Sequence, residues 1–273
     1  MVSIINYLID KQLYPPQKEV KWPSTFYVNG TRCLIRFHEQ ATAWLIFCHG
    51  NSDSIDNLAS KKPFQTESFV DHLSKATDYT CNIVIPEFPK LLHDVRGKER
   101  DDAMVDSVRN AYLGIQNHDL SAPIFVVAHS LGVALALHAC AELEAERAPA
   151  GMILVSGFGS VRNLAPYMMS CAIPDRLNNM KQMAQLASHV PVVVVHGTND
   201  VVIPVAEADA LYHACQSQSK KLITISNADH NIMQNPKVLH LLRCMTTQQQ
   251  TTQKRTTIDA TTTFQFWEQA SMA

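Results

Sequence analysis

The sequence predicts an α/β fold, with a mostly parallel central sheet of about eight strands and helices on both faces. Three observations predict it. Short runs rich in β-branched and aromatic residues alternate with longer helix-forming segments along most of the 273-residue chain. Several of these runs are apolar at every position, as strands buried on both faces require. The residues with chemical capacity stand just past the carboxyl ends of such runs, where open α/β sheets build their sites.

Taken in order, residues 1–22 form an N-terminal extension. It is apolar and helix-like at first, then broken at Tyr14-Pro15-Pro16, where proline cannot continue a helix. The main domain is expected over residues 23–245. Thr25–Val28 and Arg32–Phe37, joined by Asn29-Gly30, read as a hairpin. Trp44–Cys48 and Asn82–Ile85 are strands on either side of a helix around Phe69–Lys75. A helix around Met104–Ile115 leads to the strand Ile124–Val127, and a helix rich in strong formers (Leu131, Ala134, Leu135, Leu137) leads on to Met152–Val155.

Residues 159–189 interrupt the rhythm. They are helical in character, break at Pro174, and carry Met168, Met169, Met180 and Met183. An insertion here reads as a short cap, its methionines either packing the core or forming a yielding apolar wall. Val192–Val195, a helix from Ala206 to Cys215, Leu222–Ile225 and a last helix to about Met245 complete the domain. Residues 246–273 are rich in Thr and Gln, which bury too little apolar area to offset ordering entropy, so a disordered tail is expected.

Composition narrows the function classes. Hydrophobic residues make up 46% and charged residues 18%, and the net charge is −2, which gives no footprint for nucleic acid. The densest basic run, Arg96-Gly97-Lys98-Glu99-Arg100, is offset by Asp94, Asp101 and Asp102 and reads as a solvated face at a helix start. Seven cysteines show no Cys-x-x-Cys pair, which fits a reducing compartment and a cytoplasmic location, and no secretory signal opens the chain. The longest apolar stretch, 122–141, is interrupted by His129, Ser130 and His138 and is a core strand and helix rather than a membrane span. No His-Glu-x-x-His or similar spacing occurs, so no metal is expected, and Gly157-Phe158-Gly159 lacks the context of a dinucleotide fingerprint, so no organic cofactor is expected either.

Chemistry centres on Ala128-His129-Ser130-Leu131-Gly132. Here a strand ends and a helix begins, so Ser130 is forced into a tight turn above the sheet. Its neighbours two residues to either side must be small, because strand and helix nearly touch; Ala128 and Gly132 meet that demand. Three other strand ends carry His49-Gly50-Asn51-Ser52, His196-Gly197-Thr198-Asn199-Asp200 and Asn227-Ala228-Asp229-His230. A serine hydroxyl needs a base within hydrogen-bond reach to act as a nucleophile. His230 is the candidate base and Asp200 the acid that orients it, with Asp53 and Asp229 as weaker alternatives for the acid. Against these stand a turn or cap serine at Ser130, a capping carboxylate at Asp200 and a helix-start histidine at His230. His49 and His129 are expected to set shape without moving protons, and Cys48 to be a buried wall.

With the order Ser, Asp, His, each just past a strand end, the sequence resembles the α/β-hydrolase superfamily. More narrowly, it resembles the small-cap serine hydrolases with a His-Gly-Asn oxyanion loop, which include depalmitoylating thioesterases. The resemblance implies catalysis by Ser130, Asp200 and His230, with an oxyanion hole from the backbone N–H groups of Asn51 and Leu131. It implies hydrolysis of an acyl ester or thioester through an acyl-enzyme. The substrate is then a small molecule or an acylated protein, with peripheral membrane contact left open and the oligomeric state unspecified. Two departures stand out: Ala128 replaces the first glycine of Gly-x-Ser-x-Gly, and Pro86-Glu87-Phe88-Pro89-Lys90 stands where relatives carry a glycine-rich turn with tyrosine. A serine peptidase on this fold is an alternative, although the chain has no room for the usual accessory domain; so is a non-catalytic binding protein on the scaffold.

Overall fold

Eight strands form one sheet in the computed structural model, which describes residues 25–61, 66–89, 97–164 and 175–252. They are β1 (Thr25–Val28), β2 (Thr31–Arg36), β3 (Ala43–Cys48), β4 (Cys81–Pro86), β5 (Ile124–His129), β6 (Gly151–Val155), β7 (Val192–Gly197) and β8 (Lys220–Ile225). Their spatial order is β1-β2-β4-β3-β5-β6-β7-β8. The β1–β2 and β2–β4 pairs are antiparallel, and every pair from β4 to β8 is parallel. The helices are α1 (Ile55–Ala59), α2 (Phe69–Ala76), α3 (Lys98–His118), α4 (Leu131–Cys140), α5 (Asn179–Gln185), α6 (Ala206–Ala214) and α7 (Pro236–Thr252). This is the α/β-hydrolase fold that the sequence resembles.

Side-chain alternation splits the interior into two layers. From β5, Ile124, Val126 and Ala128 join one core with Met104, Val108 and Tyr112 of α3 and with α4. Phe125 and Val127 join the other, with Val70 and Leu73 of α2 and Val238 and Leu241 of α7. Because both faces are covered, β3, β5, β6 and β7 are buried throughout, which is why their sequences are unbroken apolar runs.

Strand order also fixes where a site forms. The chain leaves β3 for β4 on one side and leaves β5 for β6 on the other. The crevice at the carboxyl ends of adjacent β3 and β5 is therefore a topological switch point. The loop beginning at His49 and the turn at Ser130 face each other there.

Two expectations change and one open reading narrows. First, α3 starts at Lys98, so Lys98–Arg100 are helical while Asp94 and Arg96 lie outside the described residues, and the face of the helix is not wholly solvated. Asp101 is buried and paired in a bidentate manner with buried Arg176, at 2.7 Å to Nε and 2.8 Å to Nη2. Arg176 Nη2 also donates to the Gly97 carbonyl at 3.1 Å, tying the segment before α5 to the start of α3. Second, α7 continues past the expected end at residue 245 to Thr252. Thr246 is buried and its hydroxyl folds back onto the Leu242 carbonyl at 3.1 Å, so the polar composition of the tail does not stop the helix where it begins. Third, of the insertion at 159–189, the described parts are a 3₁₀ turn (Val161–Leu164) and α5. Met183 belongs to the core on the α3–α4 side, so it packs as an ordinary hydrophobe. Residues 1–22, Met168, Met169, Pro174 and 253–273 lie outside the described residues.

Candidate active site

Ser130 sits between β5 and α4 with φ 54° and ψ −119°, a conformation L-residues rarely adopt. Packing enforces it. A Cβ at Gly132 would lie 2.1 Å from the Cys48 carbonyl oxygen and 2.6 Å from that of His49, so α4 begins in backbone contact with the end of β3. Buried Ala128 keeps its methyl in the core, so alanine suffices where a first glycine is common. Gly50 is also confined: its Cβ would meet His129 Nδ1 at 3.0 Å.

The structure brings together the three side chains singled out in the sequence. His230 Nε2 lies 3.0 Å from Ser130 Oγ, and His230 Nδ1 lies 2.7 Å from Asp200 Oδ2. A carboxylate oxygen only accepts, so Nδ1 carries the proton of the neutral ring and Nε2 is free to accept from the serine hydroxyl. Asp200 is buried, and its other oxygen accepts from the Val202 N–H at 2.9 Å and the Ile203 N–H at 2.8 Å. The alternative acid Asp229 turns away, its Oδ1 accepting from the Asn231 N–H at 2.9 Å.

Leu131 is the first residue of α4, where a helix leaves its N–H groups without intrahelical partners at the positive end of its dipole. Asn51 follows Gly50, whose Cβ would lie 3.6 Å from Ser130 Cβ, just past the end of β3. Tight backbone approach also seats the base: a Cβ at Gly197 would lie 2.3 Å from the Asp229 carbonyl oxygen.

Four features have no counterpart in the sequence reading. The His230 backbone carbonyl accepts from both His129 Nε2–H and the Ser156 hydroxyl, each at 3.0 Å. Ser156 is fully buried just past β6, with φ 50°. Burial pushes the His129 imidazole down to about 4, so it stays a neutral donor. His196, at the end of β7, is fully buried beside Asp200. Phe88 stacks on His49 with ring centroids 4.1 Å apart and packs the loop from below. Finally, Glu87 pairs with Arg32 at 2.7 Å, and Arg32 reaches Asp56 at 3.4 Å, bridging the β2–β4 end to α1. The departure at Pro86–Pro89 thus supplies a brace for the His49 loop. Among these, His196 had a legible signal, since it stands four residues before Asp200 at a strand end.

Cys48 is buried, and burial raises its thiol well above the ordinary range, in keeping with a wall residue. No group of three or more His, Cys, Asp or Glu side chains placed to hold a metal ion occurs among the described residues. None of the described helices is long and apolar enough to cross a membrane. A cavity of about 360 Å³, lined by Thr42, Trp44, Asn82, Asp119 and Ser121, opens at the amino ends of β3 and β5, the end remote from Ser130.

Residues 105–243, about half the chain, match the family described as serine hydrolase. No curated protein matches the sequence. Among solved structures, the esterase domain of a Rhodothermus marinus protein is similar with a TM-score of 0.56 at 18% identity, over 82% of this chain and 95% of that one. A monoacylglycerol lipase from Paleococcus ferrophilus gives 0.54 at 13% identity, over 80% and 97%. An alpha-beta serine hydrolase homologue from Coxiella burnetii gives 0.55 at 15% identity, over 85% and 99%. At these identities the likeness speaks for the fold alone.

Proposed function

Because the chain belongs to the serine hydrolase family, we propose that it hydrolyses carboxylic esters or thioesters of acyl groups, with Ser130 as nucleophile, His230 as general base and acid, and Asp200 as the orienting carboxylate. The observation that carries the proposal is the unbroken sequence of contacts from Ser130 Oγ to His230 Nε2 at 3.0 Å and from His230 Nδ1 to Asp200 Oδ2 at 2.7 Å. His230 takes the hydroxyl proton as Ser130 attacks the acyl carbonyl, and Asp200 stabilises the imidazolium that forms. The backbone N–H groups of Asn51 and Leu131 receive the oxyanion; losing one such donor typically lowers turnover by about 10²–10³. His230 then protonates the leaving alcohol or thiol, and a water activated by the same imidazole releases the acid and regenerates Ser130. No step requires a metal or an organic cofactor. Solved structures of this fold carry the names of an esterase domain, a lipase and a peptidase, so the fold by itself does not choose between ester and amide. The depalmitoylase-like resemblance extends the proposal to acyl thioesters on proteins, with a cytoplasmic location and membrane contact through the surface.

A fluorophosphonate probe is expected to label the purified protein once, on Ser130, by intact mass and peptide mapping. Ser130→Ala should abolish labelling and lower turnover by about 10⁶. Labelling that survives the substitution sinks the assignment, and no labelling at all favours a non-catalytic scaffold. A panel of p-nitrophenyl esters and acyl-CoA thioesters of increasing chain length then separates esters from thioesters and short acyl groups from long ones.

A further inference from the structure

A second imidazole lies against the carboxylate that holds His230. His196 is fully buried at the end of β7, and its Nε2 is 2.9 Å from the Ile203 carbonyl and 3.1 Å from Asp200 Oδ2. Both neighbours are acceptors, so Nε2 carries the ring proton in the neutral tautomer. Its N–H aims at the Ile203 carbonyl with the carboxylate oxygen beside it. Nδ1, the other ring nitrogen, is buried with no hydrogen-bond partner in the structure. An imidazole held only for packing could be an apolar side chain of similar size; an orphaned buried nitrogen is a liability unless the other one is needed.

The contacts close a ring. His196 Nε2–H holds the Ile203 carbonyl, the Ile203 N–H donates to Asp200 Oδ1 at 2.8 Å, and Asp200 Oδ2 returns to His196 Nε2. Oδ2 is also the oxygen that accepts from His230 Nδ1. We infer that His196 is a positioning residue for the hydrolytic reaction, fixing the rotation of the Asp200 carboxylate so that Oδ2 points at His230. The inference rests on the proposed roles of Asp200 and His230. Asp200 has donors at both oxygens: the Val202 and Ile203 N–H groups at Oδ1, and His230 with the N–H dipole of His196 at Oδ2. Without His196 the carboxylate keeps its Oδ1 anchors but can swing about them, and the Ile203 carbonyl that shapes the loop loses its donor.

The test begins on the unsubstituted protein. Long-range ¹H–¹⁵N correlation of the histidine rings should show His196 protonated at Nε2, and a far-downfield proton resonance should report His230 Nδ1–H against Asp200. His196→Leu should shift or broaden that downfield resonance and lower kcat on an activated ester roughly three- to tenfold with KM little changed, the span of one hydrogen bond between neutral groups. His196→Gln, whose amide nitrogen can stand where Nε2 stands, should bring both readouts back towards the unsubstituted values. An Nδ1–H tautomer at His196 overturns the inference. So does a downfield resonance unmoved in His196→Leu, even with lower thermal stability, or a His196→Gln no better than His196→Leu. The resonance and the tautomer are read in the resting protein. Failure of the fluorophosphonate labelling therefore strikes the proposed function alone, and failure of the resonance strikes His196 alone.

Discussion

Ser130 and His230 meet across 3.0 Å, yet the chain holds them by different physics. Ser130 is held by exclusion: a left-handed backbone between β5 and α4, with Gly132 pressed against the carbonyls that end β3. Its own side chain makes no capping bond that would compete for the hydroxyl. His230 sits on the loop after β8 and is held by attraction. Asp200 takes its ring, while His129 and Ser156 take its carbonyl. Steric placement is all-or-none, because backbone atoms cannot yield. Hydrogen-bonded placement is graded, because each donor carries a share and another can remain. The two arms should therefore fail differently, and the following substitutions separate them.

The largest effect is expected at Asp200→Asn. The amide presents a donor to His230 Nδ1, which then sheds its proton to Nε2 and can no longer accept from Ser130. In the serine-protease template such a change lowers kcat by about 10⁴. The same amide nitrogen also faces the His196 Nε2–H, or, if flipped, the Val202 and Ile203 N–H groups. A buried donor is left unmet either way, at about 1–3 kcal/mol of stability. Steady-state kinetics and urea unfolding check both parts. Near-normal turnover in this variant, with loss in Asp229→Asn, would move the acid to Asp229.

Next in size is Gly132→Ala on the steric arm. One methyl group set 2.1 Å from the Cys48 carbonyl forces α4 away from β3. A loss of about 3 kcal/mol or more in stability is expected, together with loss of activity. Ala128→Gly, two residues to the other side, leaves the turn free of contact and should keep most activity. If Gly132→Ala folds with ordinary stability and turnover, the elbow is not held by exclusion.

The same division governs what could be seen in the sequence. The steric arm was legible because its constraints are local: a small residue, a serine and a glycine over five positions, after an apolar strand and before a helix. The parallel sheet was legible because burial on both faces leaves unbroken apolar runs, such as Val192–Val195. The attractive arm was half legible. Asp200 and His230 advertise themselves at strand ends, but the contacts that hold them join residues as far apart as 101 positions, as His129 to the His230 carbonyl does. No periodicity records such a pairing. Arg176 with Asp101 hid for the same reason, 75 positions apart, so a charge expected to face water is instead buried. The α7 boundary was missed because Thr246 satisfies its hydroxyl on its own helix, which composition does not reveal.

Protonation gives a third way to grade the attractive arm. His129 titrates at about 4 in the folded protein, lowered chiefly by burial from 6.5. Between these values the unfolded chain binds the proton and the folded one does not. Stability is therefore complete above about pH 6.5 and declines as pH falls towards 4, by about 3 kcal/mol at most from this group. His38 and His138 are lowered by burial as well and act in the same direction. Denaturant unfolding across pH 4.5–7.5 on the unsubstituted protein and on His129→Gln isolates the share of His129: the variant should show the shallower slope. Equal slopes would mean that His129 takes up its proton without opening the site.

The smallest single effect is expected at Ser156→Ala, and it sharpens the comparison most. The substitution removes one of two donors from the His230 carbonyl and leaves His129 Nε2–H in place. It should lower stability by about 1 kcal/mol. Turnover should fall severalfold, with KM unchanged, because the ring of His230 is still held by Asp200. His129→Leu alone should behave similarly, since the Ser156 hydroxyl remains. With both gone the carbonyl is desolvated and has no donor, so the double variant should lose more than the two single losses added together. A double-mutant cycle reads that excess directly, in unfolding free energy and in log kcat. Strict additivity would mean that the two donors do not share the carbonyl as one clamp, and the contrast between a steric arm and a graded one would then rest on Asp200 alone.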